Sequence, residues 1–207
     1  MSVFAWARTL TYNAMTKNGA SYFVSIFEFL MLFVSLIVGL GVAEVLTGVT
    51  RIIRERETTS PYWIHSLFIV IVFLALLQQW WEIWGVRDVE AWTFPGLLLM
   101  LGGPIGLFII ANLLFPEPVR GTDFKNYYFG KMKPVIWIAV FSVLLAVSFR
   151  PIVFGSKLFA LENLSSFVIM AIFVSLTFIK KEWYQGTMVL SVFLALLADV
   201  LLVGFRI

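Results

Sequence analysis

The sequence contains no cysteine and a single histidine, His65. A chain without cysteine has no disulfide bridges, thiolate nucleophiles or cysteine-ligated metal clusters. One histidine per chain also excludes bis-histidine haem ligation and multi-histidine zinc or copper sites within a single copy. The inventory therefore predicts no metal site and no cofactor.

Charged residues are scarce as well. They make up 13% of the 207 residues, whereas a soluble domain carries about 25%. Hydrophobic residues make up 61%, and the basic residues behind the net charge of +3 flank apolar runs. That placement predicts contacts with anionic lipid rather than with nucleic acid. We therefore expect a multi-pass protein of the bacterial inner (cytoplasmic) membrane, with the lipid bilayer as its main partner.

Familiar catalytic motifs are absent too. The sequence has no GxSxG elbow, P-loop, HExxH or GxGxxG pattern, and nothing in it fixes a nucleophile or a general base. An enzyme is therefore not predicted. A lipid-modifying reaction stays an open alternative, because missing motifs do not exclude one.

The apolar segments predict an all-α, polytopic bundle of transmembrane helices. A hydrocarbon core of about 30 Å requires about 20 residues at about 1.5 Å each. Six segments approach or exceed that length, at residues 22–49, 62–85, 92–115, 134–149, 164–179 and 183–205. The fourth is short, so five spans is the alternative. Residues 1–20 are expected to lie at the interface, and residues 21–207 to form one transmembrane domain.

The third span carries the sequence LGGPIG at residues 101–106. Pro104 cannot donate a backbone hydrogen bond, and Gly102 and Gly103 leave the surrounding backbone loosely held. We therefore expect this helix to be kinked or broken at Pro104.

Basic residues are unevenly divided between the two sides of the predicted bundle. Nine lie in the connections after the first, third and fifth spans, and six lie on the other side. The positive-inside rule then places these connections in the cytoplasm and both termini outside it. The longest connection, residues 117–133, is expected to be an interfacial loop or short helix. The predicted cytoplasmic anchors are Arg51, Arg54, Arg56, Lys125, Lys131 and Lys133.

Acidic residues inside the apolar segments are the candidate functional residues, since a carboxylate in mid-membrane costs about 2.5 to 3.5 kcal/mol and needs a proton, a partner or water. In the first span, Glu44 shares a face with Gly41 and Gly48, which indicates a packed helix seam. An ion pair with Arg51 is the alternative. Glu28 lies on a second stripe or at headgroup level, and burial of both stripes would make the first helix central.

Asp199 is the most isolated of these acids, because no basic residue lies closer along the chain than Arg206. It is expected to face protein or water. A hydrogen bond to Asn112 or a link to Arg150 would make it structural, whereas a titrating or ion-binding carboxylate would make it functional.

The second span ends in a polar group. Gln78 and Glu82 are one helical turn apart, with Trp81 beside them, and they form either an interfacial belt or a polar vestibule with aromatic walls. His65 lies at the other end of this span, where we expect it to form hydrogen bonds at the interface.

Together these features predict a small oligomeric ion channel or transport-type protein with intramembrane carboxylates lining or gating a path. The candidate pathway residues are Glu28, Glu44, Asp199 and Asn112. The alternative is a non-conducting anchor, sensor or subunit of a larger membrane complex, with a protein partner at the cytoplasmic loops.

Overall fold

The computed structural model describes residues 26–87, 89, 92–155 and 163–203; the expected interfacial segment 1–20 lies outside them. The described chain is a bundle of α-helices, which confirms the predicted fold class. The helices are α1 (Ile26–Arg54), α2 (Trp63–Glu82, extended by the 3₁₀ turn Ile83–Val86), α3 (Phe94–Leu113), α4 (Phe124–Phe154), α5 (Leu164–Phe178) and α6 (Glu182–Val203).

By length and composition the protein is a multi-pass membrane protein. Five of the described helices are long and apolar enough to cross a membrane, and α5, with 15 residues, is a shorter apolar helix. The predicted six segments therefore all form helices, and five of them reach full spanning length within the described residues.

One end of the bundle is formed by three connections. Ser60 forms backbone hydrogen bonds with Thr122 and Phe124, which joins the chain after α1 to the chain after α3. Lys125 at the start of α4 contacts Glu182 at the start of α6 at 2.6 Å. We call this end the basic face, defined by the connections 55–62, 114–123 and 179–181.

The other end of the bundle, here the distal face, carries both ends of the described chain. Phe27 at the start of α1 packs edge-on against Trp84 after α2, with ring centroids 5.8 Å apart. Since α6 begins at the basic face, it ends at the distal face. Helix α5 must then run from the distal towards the basic face, and its 15 residues cover about 22 Å.

Helix α2 is packed between several other helices. It packs against α1, α3, α4 and α6, and Ile64, Phe68 and Leu76 are at most 1% exposed. Helix α1 instead buries a single face, at the helical spacing expected for one-sided packing. The buried residues of α1 are Leu30, Val34, Val38, Gly41, Val45 and Gly48.

Helix α3 continues through Pro104. The predicted break is therefore wrong, and the kink stays a prediction. The two glycines before the proline serve close packing instead: a Cβ on Gly102 would meet Leu145 of α4, and a Cβ on Gly103 would meet Gln79 of α2. Neighbouring helices on both sides hold the segment that the sequence suggested would be loose.

Helix α4 begins ten residues before the predicted span, at Phe124 rather than residue 134. Asp123 caps it, because its side chain accepts from the backbone N–H groups of Lys125 and Asn126. The segment expected to be an interfacial loop or short helix is therefore largely the first part of this helix. A stripe at spacings of three and four anchors it to the core through Phe124, Tyr128, Met132 and Val135.

Candidate functional site

The side-chain amide of Gln78 joins two of the predicted intramembrane acids. Its Nε2 donates to Glu82 Oε1 at 3.1 Å and also to Asp199 Oδ2. Gln78 and Glu82 are neighbours on one face of α2, whereas Asp199 belongs to α6 and is brought there by the packing of the two helices. We call these three residues the amide–carboxylate cluster.

The cluster lies towards the distal ends of two helices that are long and apolar enough to cross a membrane. Asp199 follows Glu182, the first residue of α6, by 17 positions, or about 26 Å, and Gln78 follows Trp63 by 15 positions, or about 22 Å. A hydrocarbon core is about 30 Å thick. The cluster is therefore within the length of both apolar helices and nearer to the distal face than to the basic face.

The cluster lies on the outer surface of the bundle. Gln78 is half-buried, and Glu82 and Asp199 are exposed. Among the described residues, Asp199 forms no ion pair with a basic side chain. One amide nitrogen has two hydrogens and can serve one oxygen of each carboxylate, so the second oxygen of Asp199 remains available as an acceptor.

The tryptophans near the cluster do different things. Trp80 Nε1 donates to Ser35 Oγ of α1 at 2.9 Å, which fastens α1 to α2 near the distal face. Trp81, predicted as part of either an interfacial belt or a vestibule wall, is exposed on the bundle surface. The second stripe of α1, with Glu28, Ser35 and Gly39, is only partly covered: Ser35 contacts α2, whereas Glu28 is exposed and nothing lies within 4 Å of a Cβ built at Gly39.

Glu44 does not join the cluster. Arg51 Nη2 contacts Glu44 Oε1 at 2.6 Å, and Nη1 contacts Glu117 Oε1 at 2.7 Å. The ion pair that the sequence left as an alternative is therefore present. Its neighbours Gly41 and Gly48 are buried, as the packed seam required. Glu44 helps to hold the basic face together.

Asn112 is not the partner of Asp199. Its Nδ2 donates to the carbonyl of Phe108 in its own helix at 2.9 Å. The expected contact fails because α3 ends at the basic face, whereas Asp199 lies towards the distal face. Gln78 of α2, rather than Asn112, is the hydrogen-bond donor to Asp199. The side chain of Arg150 lies outside the described residues.

The predicted anchors fall into two groups. Arg51 and Lys125 form ion pairs that join helix ends at the basic face. The other four are exposed: Arg54, Arg56, Lys131 and Lys133.

His65 is a core residue rather than an interfacial one. It is 1% exposed, and neither ring nitrogen has a hydrogen-bond partner among the described residues. The centroid of its ring lies 5.0 Å from the centroid of the Phe124 ring. The expectation of interfacial hydrogen bonds is wrong because the first turn of α4, which was predicted to lie outside the fourth span, packs against this position.

Two polar residues that the sequence did not single out are paired at the basic face. The hydroxyl of Tyr128 donates to Gln185 Oε1 at 2.8 Å. Gln185 Nε2 donates to the carbonyls of Leu176 and Ile179 at 2.8 and 2.7 Å. The amide side chain of Gln185, within a predicted apolar span, was the signal in the sequence that could have indicated this contact. Gln185 joins α6 to α4 and to the end of α5.

Metal binding is not supported within the described residues, where no group of three His, Cys, Asp or Glu side chains could hold an ion. Comparison of the chain with protein-family models, characterised proteins and solved structures finds no match. The function is therefore argued from the geometry of the bundle.

Proposed function

We propose that the protein is a small oligomeric channel or transport-type protein for a cation or proton in the bacterial inner membrane, with the amide–carboxylate cluster on its path. One observation carries the proposal: Asp199 of α6 and Glu82 of α2 share the amide of Gln78 within the membrane-spanning part of the bundle.

The chemistry of the cluster favours a positive ligand. An ionised carboxylate costs about 2.5 to 3.5 kcal/mol at the centre of a membrane-spanning helix and less towards its end, where Asp199 lies, and a neutral amide offsets only part of this cost. A proton or a cation on the second carboxylate oxygen of Asp199 offsets more of this cost than the amide does. A carboxylate that takes up and releases a positive charge in this way is the usual element of an ion or proton path.

The surface position of the cluster favours an oligomer. Asp199 is exposed on the outer surface of the bundle, where acyl chains are a poor environment for a charge. A second copy that packs against the surface of α2 and α6 would enclose it. Cyclic symmetry would then repeat Asp199 around a common axis, as in the acidic rings of cation-selective pores.

Ion flux from liposomes tests this function. Purified protein is reconstituted with a proton-sensitive dye inside, or with a potassium-sensitive dye, and flux is started with a gradient. Asp199→Asn removes the charge and keeps the shape. We expect flux to fall by about ten-fold or more, which corresponds to about 1.4 kcal/mol in the barrier.

Glu57→Gln is the matched control. It is also a carboxylate-to-amide change, but it lies in an exposed connection at the basic face, and we expect wild-type flux from it. Elution volume in detergent shows that both variants are folded and assembled. Silent wild-type liposomes, or equal flux from wild type and Asp199→Asn, would contradict the proposal.

A non-conducting sensor or subunit is the second candidate. It is favoured by the basic face, where Arg51 joins Glu44 and Glu117 into a fixed platform beside the exposed cations Arg54 and Arg56. Such a platform suits an acidic protein partner. Silent liposomes together with a stable co-purifying partner, lost in the variant Arg54→Gln/Arg56→Gln, would favour this function over conduction.

A further inference from the structure

A cavity of about 90 Å³ opens on the basic face, beside α4 and the turn between α5 and α6. It is at the opposite end of the bundle from the amide–carboxylate cluster. The lining residues that determine its chemistry are Tyr128, Lys133, Leu176, Thr177, Lys180 and Gln185.

Two positive charges converge on this cavity. Lys133 lies on α4 and Lys180 in the turn after α5, and both are exposed lining residues. Neither forms an ion pair with any residue in the described part of the chain, and no lining residue is acidic. Glu182, the acid closest to Lys180 in sequence, is already paired with Lys125 at 2.6 Å. The cavity therefore presents uncompensated positive charge.

The inner wall of the cavity is fixed by hydrogen bonds. Gln185 is 2% exposed, and its amide donates to the carbonyls of Leu176 and Ile179 while its oxygen accepts from Tyr128. The carbonyls at the end of a helix otherwise carry a partial negative charge. Because Gln185 occupies two of them, the end of α5 does not strongly oppose an anion in the cavity.

The apolar surroundings indicate where the rest of the ligand lies. Met132 and Ile136 line the cavity beside the lysines. Trp137 on α4 and Phe178 at the end of α5 are 44% and 70% exposed on the apolar surface of these two helices. A ligand with a negative head and an apolar tail matches this arrangement better than a free anion.

We propose that the cavity binds the phosphate group of an anionic membrane phospholipid, with Lys133 and Lys180 as its charged contacts and the acyl chains along α4 and α5. Basic pockets between transmembrane helices are known to bind such headgroups on the cytoplasmic side. The site does not depend on conduction, because it belongs to the opposite face of the bundle.

Lipid retention by the full-length protein tests the site. Wild-type protein in detergent is titrated with phosphatidylglycerol, or with zwitterionic phosphatidylcholine, and bound lipid is counted by native mass spectrometry. We expect selective retention of phosphatidylglycerol. The variant Lys133→Gln/Lys180→Gln is expected to bind it about 25-fold more weakly, at about five-fold per lysine.

The neighbouring lysines provide the control. Lys131→Gln/Lys181→Gln removes the same charge from the same face, but neither residue lines the cavity, and we expect near wild-type retention. All four side chains are exposed, so both variants should fold, and equal thermal midpoints check this. Equal losses from both variants would overturn the site in favour of general surface potential. Equal retention of phosphatidylcholine, or displacement of the lipid by equimolar inorganic phosphate, would overturn the lipid assignment.

Discussion

Asp199 is stable in an apolar helix because α2 provides a hydrogen-bond donor at the same depth. A carboxylate accepts strong hydrogen bonds, and the amide of Gln78 reaches it without adding a charge. The same amide also serves Glu82 at 3.1 Å. A substitution at any one of these three side chains should therefore change the energetic contribution of the other two.

A double-mutant cycle measures this coupling. Gln78→Leu removes the hydrogen-bond donor to Asp199, so we expect the free energy of unfolding in mixed micelles to fall by about 1 to 2 kcal/mol. Combining it with Asp199→Leu removes both polar groups and should restore part of the loss. The expected coupling is about 0.6 to 1.7 kcal/mol, and strictly additive effects would show that the contact has no energetic weight.

Arg51 shows how much of one residue's role a sequence can reveal. Its spacing from Glu44, seven positions and two turns along α1, allowed the ion pair to be anticipated. Its second partner, Glu117, is 66 positions away and could not be. Local spacing predicts contacts along a helix, whereas contacts between connections depend on how the helices pack.

At the scale of elements, the segment before the fourth span was predicted to be an interfacial loop or a short helix, and it was not joined to the span. Asp123 is a good capping residue, and the residues Phe124, Tyr128 and Met132 recur every four positions. Lysines, an asparagine and Tyr127 between them gave the segment a polar average, which separated it from the apolar run that follows. Periodicity was the better guide here, because a helix at the membrane surface needs only one apolar face.

Close approach of α1 to the connection after α3 depends on Gly48. A Cβ built at this position would overlap the ring of Phe115, which is 4% exposed and cannot move into solvent. We expect Gly48→Ala to lower the free energy of unfolding by about 1 to 3 kcal/mol through overpacking.

Gly39 on the same helix is the control for this substitution, since nothing lies within 4 Å of its added Cβ. Gly39→Ala should be neutral or stabilise by up to about 1 kcal/mol, because alanine favours helix over glycine. Denaturation of both variants in the same detergent compares them. Similar losses at both positions would mean that backbone flexibility, rather than space, is what the glycines provide.

For the whole molecule, composition and apolar segments were sufficient to predict a helical membrane bundle, and they were not sufficient to predict which helix is central. The sequence drew attention to α1, which has the longest apolar run. The structure places α2 between α1, α3, α4 and α6. The cluster of Gln78 and Asp199 follows from the contact of α2 with α6, across 121 positions of the chain. No local pattern encodes such a pairing.

The described part of α5 is short for a membrane crossing, because its 15 residues cover about 22 Å of a core of about 30 Å. The contact of Gln185 with Leu176 and Ile179 nevertheless fixes the end of α5 at the basic face. A chain without cysteine allows this to be tested by single-cysteine labelling in intact bacterial cells. The exposed positions Gly85, Arg120 and Lys181 represent the distal face, the basic face and the turn after α5.

With an impermeant maleimide added outside, we expect Gly85→Cys to be labelled, and Arg120→Cys and Lys181→Cys to be labelled only after the cells are permeabilised. The basic connections would then be cytoplasmic, as their lysines and arginines predict. Labelling of Arg120→Cys and Lys181→Cys but not of Gly85→Cys would invert the orientation and leave the fold intact. Labelling of Lys181→Cys together with Gly85→Cys, with Arg120→Cys protected, would mean that α5 turns back within the membrane. The end of α6 would then lie on the opposite side, and Asp199 could not meet Gln78 at the same depth.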